Sequence, residues 1–401
     1  MESLNLSSND KAQTLANYSA KIAQANALRS KGDFAPAALL YAEAADLLPQ
    51  SQAGLFTAIC LRDAGKIDEA IKSYQAYIAL NPKDVHGWSG LGVLFKRLQR
   101  YEAAIEAMRN AVALAEDPAL RNVLIGALWQ SGQVAAAQAE GFKNLEEKHR
   151  LARDAFKASP FKDSILKPGG RGFDPQRRER NIISFSLWGD RPEYITGALI
   201  NAQIAQHLYV CWTPRFYCDA SVPQDARDAL TAYGAQVILM TGETDAAIRP
   251  MWRFLASDDP DINVFVCRDA DSRLNAKELL AVSDWLGSGK RFHVMRDHIY
   301  HHELILAGMW GGTAGILPNM RDWLNSASKY FNNKFGDQAF LADMVWPLIL
   351  EDTKIHDTFY RFPNAGPFPQ GYDLPGAIHV GGGVKRMPHW SRYVHLNGPT
   401  P

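Results

Sequence analysis

The sequence predicts two folded parts in series, an all-helical repeat array followed by an α/β domain built on a parallel sheet. Three observations predict this: a 33-residue period in the first third of the chain, a strand–helix alternation that begins at Asn181, and a basic, breaker-rich stretch between the two. A length of 401 residues exceeds what one core usually supports, which agrees with two domains.

Composition narrows the class further. With 47% hydrophobic and 21% charged residues the chain is globular, which excludes wholesale disorder, collagen-like repeats and a fibrous coiled coil. Lys and Arg number 43 and Asp and Glu number 43, so no global field draws the protein to nucleic acid or anionic lipid, and any anion site must be local. The polar start lacks the basic flank and apolar core of a secretory signal, and no apolar run approaches the roughly 18 residues a membrane span needs. Cys60, Cys211, Cys218 and Cys267 are scattered, with no C-x-x-C pair, so disulfides and a cysteine zinc site are not expected. Together these features predict a reduced, cytoplasmic protein with no nucleic-acid partner and no transmembrane segment.

The repeat comes first. Gly32, Ala37, Tyr41, Ala44 and Pro49 recur 33 residues later as Gly65, Ala70, Tyr74, Tyr77 and Pro82. A third copy runs through Trp88, Leu91, Gly92, Phe95, Tyr101, Ala104 and Ala111, and a weaker fourth through Gly126, Gly132 and Ala137. Small residues let two helices cross closely, aromatics fill the gap between units, and proline ends each second helix. Trp88-x2-Leu91-Gly92-x2-Phe95, followed by Ala104 and Ala111, resembles the tetratricopeptide repeat (TPR) over about residues 17–150. That resemblance implies a superhelix whose concave face holds a peptide or protein partner.

Residues 151–180 read as a linker. From His149 to Arg180 nine cations face four acids, and Pro168, Gly169, Gly170 and Pro175 break any regular element. The sharper alternative is a basic arm reaching an acidic partner.

Residues 181–395 form the second domain. Strands are expected at Asn181 to Leu187, Arg215 to Cys218, Gln236 to Met240 and Asn263 to Cys267, with helices from Pro192 to about His207, after Pro223, and from Asp245 to Ser257. Such a β-α-β series gathers ligands at the carboxyl ends of its strands. The last strand runs into Arg268, Asp269, Ala270 and Asp271, and two carboxylates one residue apart at a strand mouth can meet one hard divalent cation. Spacing alone does not decide this, because Asp259 and Asp261 have it too, without a strand before them. Three later segments add to the case: the Gly-rich stretch Gly308 to Gly315, which is not a P-loop; Asp337-Gln338 at a helix start; and His379, Gly382 and Lys385 among glycines.

In this order the elements resemble the GT-A glycosyltransferase fold, a Rossmann-like α/β domain. The resemblance implies that Asp269 and Asp271, with His379 as third ligand, hold Mn²⁺ or Mg²⁺ on the diphosphate of a nucleotide sugar; a histidine favours manganese. By the same likeness Arg268, Gly382, Lys385 and Trp188 contact the nucleotide sugar. His379, Gly382 and Lys385 match the H-x-x-G-x-x-K-P-W tail of the glycogenin-like and lipooligosaccharide galactosyltransferase class, whereas Pro388 and Trp390 arrive two and three residues late. Asp337 and Gln338 are similar to the D-Q-D of that retaining class, with Ala339 in the third place. They would line the sugar pocket in a retaining enzyme, and Asp337 would be the general base in an inverting one.

His293, His298, His301 and His302 cluster within ten residues, but not in the H-E-x-x-H order of a zinc hydrolase. They are read as a substrate wall. Arg296-Asp297 is an ion pair that positions a loop, a contact to sugar hydroxyls, or neither, and Trp188, Trp310 and Trp390 are stacking candidates as well as core candidates. The expected function is a metal-dependent glycosyltransferase whose acceptor, a protein, peptide or glycan, is selected with help from the repeats. The alternative is a TPR interaction protein with a catalytically degenerate GT-A-like domain. A sugar-nucleotide pyrophosphorylase is set aside, because Ser186 to Asp190 carries one glycine where a Gly-rich loop is required.

Overall fold

A computed structural model describes residues 8–242, 246–331, 335–369, 374 and 378–394. The chain divides into two compact units, residues 1–141 and 142–401. The expected helix start at Asp245 and the expected domain end at residue 395 lie outside the described residues.

The first unit is a run of helical hairpins: α1 (Ser8–Ser30) with α2 (Phe34–Leu47), α3 (Ala53–Asp63) with α4 (Ile67–Leu80), α5 (Val85–Arg97) with α6 (Tyr101–Leu114), and α7 (Pro118–Gln130) with the start of α8 (Val134–Ala158). The period has a packing cause. Ala37, Ala70, Ala104 and Ala137, one per hairpin, are completely buried, and so are Tyr41, Tyr74 and Met108 at the next recurring position. Each hairpin turns at one left-handed residue, Gly32, Gly65 and Gly132 with φ of 84°, 78° and 82°, and Gln99 with φ of 59° in the third. Asp84 and Asp117 cap α5 and α7, accepting the amides of His86 and Ala119 at 2.8 and 2.7 Å.

The expected linker is corrected in two respects. Helix α8 continues to Ala158, so its first residues are helical. The remainder is seated on the second unit: the Lys167 amide donates to the Ile316 carbonyl at 2.7 Å, and the Asn263 amide to the Arg180 carbonyl at 2.7 Å. Backbone hydrogen bonds of this kind hold it against the sheet.

The second unit carries a seven-stranded sheet of β1 (Asn181–Leu187), β2 (Thr213–Cys218), β3 (Gln236–Leu239), β4 (Val264–Arg268), β5 (Phe292–Arg296), β6 (Trp310–Thr313) and β7 (Thr353–Asp357), in the order β3-β2-β1-β4-β6-β5-β7. Strands β1 to β4 pair in parallel as expected, but β6 is antiparallel to both β4 and β5, so the sheet is mixed. Every residue of β1 is buried, as a central strand covered on both faces requires. Helices α9 (Pro192–Leu208), α10 (Gln224–Ala232) and α11 (Ala276–Gly287) join this core, with Ile195, Leu199, Leu230 and Trp285 among its buried residues. Opposite them, residues 246–258 form a 3-10 segment in place of the expected α-helix, interrupted by Pro250.

The Gly-rich stretch is also corrected. Gly311 and Gly312 lie inside β6, and a Cβ on Gly311 would stand 2.3 Å from the Phe265 carbonyl oxygen. These glycines permit close strand pairing and do not form a ligand loop. The chain runs β1-β2-β3 outward on one side and returns to place β4 on the other side of β1. That reversal opens a crevice at the carboxyl ends of β1 and β4.

Candidate functional site

The turn after β4 places Asp269 at this crevice. The Ser272 hydroxyl donates to the Asp269 carbonyl at 2.8 Å and closes the turn. The Asp269 carboxylate accepts from Arg253 Nη1 at 2.5 Å, while Arg253 Nη2 reaches an Asp337 oxygen at 3.0 Å. Arg253 comes from the 3-10 segment and is 5% exposed, so its charge is held in the interior by two acids. Burial pushes the Asp337 carboxyl above the usual carboxylate range; Arg253 opposes the shift and Asp269 adds to it. The Gln338 amide donates to Asp337 Oδ1 at 2.9 Å. These groups line a polar cavity of about 90 Å³ with His301, Gly308 and Gly381. The space is small beside the several hundred Å³ that a ligand of ordinary size occupies. Gly308 is required here, since a Cβ would lie 2.1 Å from an Asp269 oxygen.

Asp271 turns to a different partner. Its carboxylate accepts from Lys385 Nζ and its carbonyl accepts the Val384 amide at 2.8 Å, which ties the tail to the β4 turn. The hydrogen bond to Asp271 holds Lys385 above the usual lysine range. The Gly382 amide donates to the His379 carbonyl at 3.0 Å. His379 stacks on His298, with centroids 4.3 Å apart, and meets His301 edge-on at 4.7 Å. Burial, then the neighbouring His379, lowers His298 to about 4, and burial keeps His301 far below the usual histidine range. The stack is held by Asp297, whose amide donates to His301 Nδ1 at 3.0 Å and whose carboxylate accepts the Val380 amide at 3.1 Å.

The expected metal set is therefore not assembled in this arrangement. Asp269 is engaged by Arg253, Asp271 by Lys385, and His379 by two histidine rings. Among the described residues no three His, Cys, Asp or Glu groups converge as metal ligands.

Three further expectations change. Arg268 points away from the crevice, because side chains alternate along a strand. It is 1% exposed and pairs with Glu278 of α11 at 2.5 Å, with the Tyr209 hydroxyl on the same carboxylate at 2.9 Å. Arg296 pairs with Asp357 at 2.7 Å, not with Asp297, which binds Lys277 at 2.8 Å. Trp310 is core, and the Trp390 indole donates to Asp225 at 3.3 Å. Trp188 does sit at the carboxyl end of β1, its ring near-parallel to Tyr194 at 6.4 Å. The residue missed by sequence reasoning is Arg253. Its signal was a lone cation inside the apolar run from Met251 to Leu255, where a buried charge demands a partner.

The tetratricopeptide-repeat family matches residues 22–85 and 57–119. The cytochrome c-type biogenesis protein CycH of Bradyrhizobium diazoefficiens is 26% identical over 121 residues, 30% of this chain and 33% of its own length, so the chain spans about a third of that relative. Among solved structures, MamA of Desulfovibrio magneticus RS-1 is 22% identical, with 34% of this chain and 80% of that chain covered and a TM-score of 0.30. An O-GlcNAc transferase of Thermobaculum terrenum is 19% identical, with 59% and 43% covered and a TM-score of 0.32. YrrB, described as a TPR protein with an unusual peptide-binding site, is 20% identical, with 34% and 72% covered and a TM-score of 0.29. Tetratricopeptide repeats thus occupy the N-terminal part, and no helix among the described residues is long and apolar enough to cross a membrane.

Proposed function

We propose that this chain acts as an interaction protein: its repeats hold a protein or peptide partner, and its α/β unit is a GT-A-like domain whose acids serve the fold. The observation that carries this reading is the engagement of every member of the expected metal set by another group of the chain. Arg253 spans Asp269 and Asp337, and Lys385 holds Asp271. A guanidinium between two carboxylates supplies the positive charge that a divalent cation would otherwise bring to that end of β4.

A second reading, a nucleotide-sugar-dependent glycosyltransferase using Mn²⁺ or Mg²⁺, is favoured by one observation. Asp269, Asp337 and Gln338 share a cavity at the sheet reversal, where α/β folds bind nucleotides. In that reading Asp337 and Gln338 shape the sugar pocket, Trp188 stacks on the base and Lys385 leaves Asp271 for the diphosphate. The test is a thermal-shift series on the full chain with nucleoside diphosphates and their sugars, with and without Mn²⁺. A ligand of the native state raises the midpoint by mass action. The interaction reading expects no metal-dependent shift. A nucleotide sugar that stabilises only with Mn²⁺, and no longer does so in Asp271→Asn, would overturn it in favour of the transferase.

A further inference from the structure

A cavity of about 350 Å³ opens between the later turns of α8 and the segment that leads into β7, inside the second unit and with no residue in common with the crevice at Asp269. Helix α8 contributes His149, Arg153 and Lys157 to its wall, four residues apart. That spacing turns all three side chains to one face of the helix, about 6 Å apart along its axis. The helical turn Trp346–Ile349 and the 3-10 turn Leu350–Asp352 contribute Pro347, Leu350 and Glu351. Phe156, 8% exposed, joins Pro347 and Leu350 as the apolar part of the lining.

The polar part is short of an anion. Where acids are at hand α8 pairs its cations, as Arg150 does with Glu147 at 2.5 Å and Asp154 at 3.1 Å. Arg153 and Lys157 are exposed, and among the described residues neither has a hydrogen bond or an ion pair. Like charges at i and i+4 repel, so an anion seated on this face stabilises it. His149 adds a neutral donor. The Trp346 indole, which can only donate, gives its hydrogen to His149 Nδ1 at 3.0 Å, and the Phe362 ring lies edge-on to the imidazole at 6.2 Å. Burial, then the nearby Arg153, lowers His149 below the usual histidine range, with Glu351 opposing. The ring is therefore neutral near pH 7 and carries its hydrogen on Nε2. Arg153 and Lys157 against Glu351 leave a surplus of one positive charge in the lining.

We propose that this cavity binds a small carboxylate, its head group held by Arg153, Lys157 and the His149 Nε2–H and its apolar body, about the size of one aromatic ring, packed on Phe156, Pro347 and Leu350. Charge balance selects the head group. A carboxylate is a monoanion that cancels the surplus of one, and a guanidinium fork matches its two oxygens. A phosphate monoester, with a charge near −2, overshoots that surplus and faces Glu351. Space selects the body, because 350 Å³ lies at the small end of the range that small-molecule sites occupy. Occupancy would tie α8 to the segment before β7, a role separate from partner binding by the repeats.

The test is a ligand-observed proton NMR titration of the full chain at pH 7.5 with 3-phenylpropionate, its neutral amide, phenyl phosphate and acetate. For 3-phenylpropionate a Kd on the order of 1 mM is expected, with the amide and acetate each at least about tenfold weaker. Arg153→Gln and Lys157→Gln are each expected to weaken 3-phenylpropionate about threefold or more, with helical circular dichroism and the urea midpoint retained because both side chains are exposed. Leu350→Ser should weaken it by a similar factor through lost apolar contact. Arg150→Gln, one residue from His149 but already paired, should leave the affinity unchanged. No binding of 3-phenylpropionate up to about 10 mM, equal affinity for acid and amide, or unchanged affinity in both Arg153→Gln and Lys157→Gln would overturn the proposal. Phenyl phosphate binding about tenfold more tightly than the carboxylate would overturn the choice of head group, and acetate binding as tightly as 3-phenylpropionate would overturn the apolar body. All of these failures leave the interaction reading intact, since that reading stands or falls on the Mn²⁺ thermal-shift series.

Discussion

Replacing Arg253 with Met removes the one cation between Asp269 and Asp337. Asp269 is 42% exposed and can be rehydrated, but Asp337 is 13% exposed and is left stranded. Breaking a buried pair from one side costs about 3–5 kcal/mol, and because only one acid is stranded the lower end, about 3 kcal/mol, applies. The penalty depends on pH. The Asp337 carboxyl is already raised by burial, and Arg253 is the leading influence that opposes the rise. Without it the folded protein holds a proton that the unfolded chain releases, so stability falls as pH climbs from the unfolded value near 4 through the new folded one. Arg253→Met should therefore cost least near pH 4.5 and most at pH 8. The assay is urea unfolding at several pH values, read by tryptophan fluorescence, since eight of the ten tryptophans lie in residues 142–401. Adding Asp337→Asn should recover about 2 kcal/mol at pH 8 by removing the stranded charge. A cost below about 1 kcal/mol, or one that is flat with pH, would refute the reasoning, because an exposed pair behaves in that way.

Other expectations follow from local geometry. Gln99 holds a left-handed turn where the other hairpins have glycine, so Gln99→Gly should stabilise the first unit by about 0.5–1 kcal/mol, measured as a higher thermal midpoint of its helical signal. Gly308→Ala would drive a methyl against Asp269 and should cost about 1–3 kcal/mol in urea unfolding; an unchanged midpoint would show that the turn yields freely. His356 is 1% exposed, bonded to His293 at 2.8 Å, and lowered by burial to about 4. Its stabilising contribution is present above the unfolded value of about 6.5 and is lost as pH falls toward 4, on the order of 3 kcal/mol in total. His356→Gln should flatten that acid limb of the stability profile, and an unaltered limb would assign the acid sensitivity elsewhere.

What the sequence determined by itself is whatever local periodicity encodes. The hairpins were legible because each copy repeats the same buried alanine and three of the four repeat the turn glycine, and β1 to β4 because an apolar run between turn formers has few other homes. The Asp269 turn was legible for the same reason, as a polar break at a strand mouth. Only the tertiary structure decided which cation each acid meets. Arg253 stands 16 residues from Asp269 and 84 from Asp337, and Lys385 stands 114 from Asp271, so no local pattern links them. The reversal of β6 was hidden as well, since Gly311 and Gly312 read alike as a ligand loop and as a closely paired strand until Phe265 stands beside them. Arg268 and Asp269 differ by one residue yet face opposite sides of the sheet, one into Glu278 and the other into the crevice. Strand alternation separates them, and the number of residues before the strand leaves the sheet sets which is which, a matter of register that long-range pairing settles.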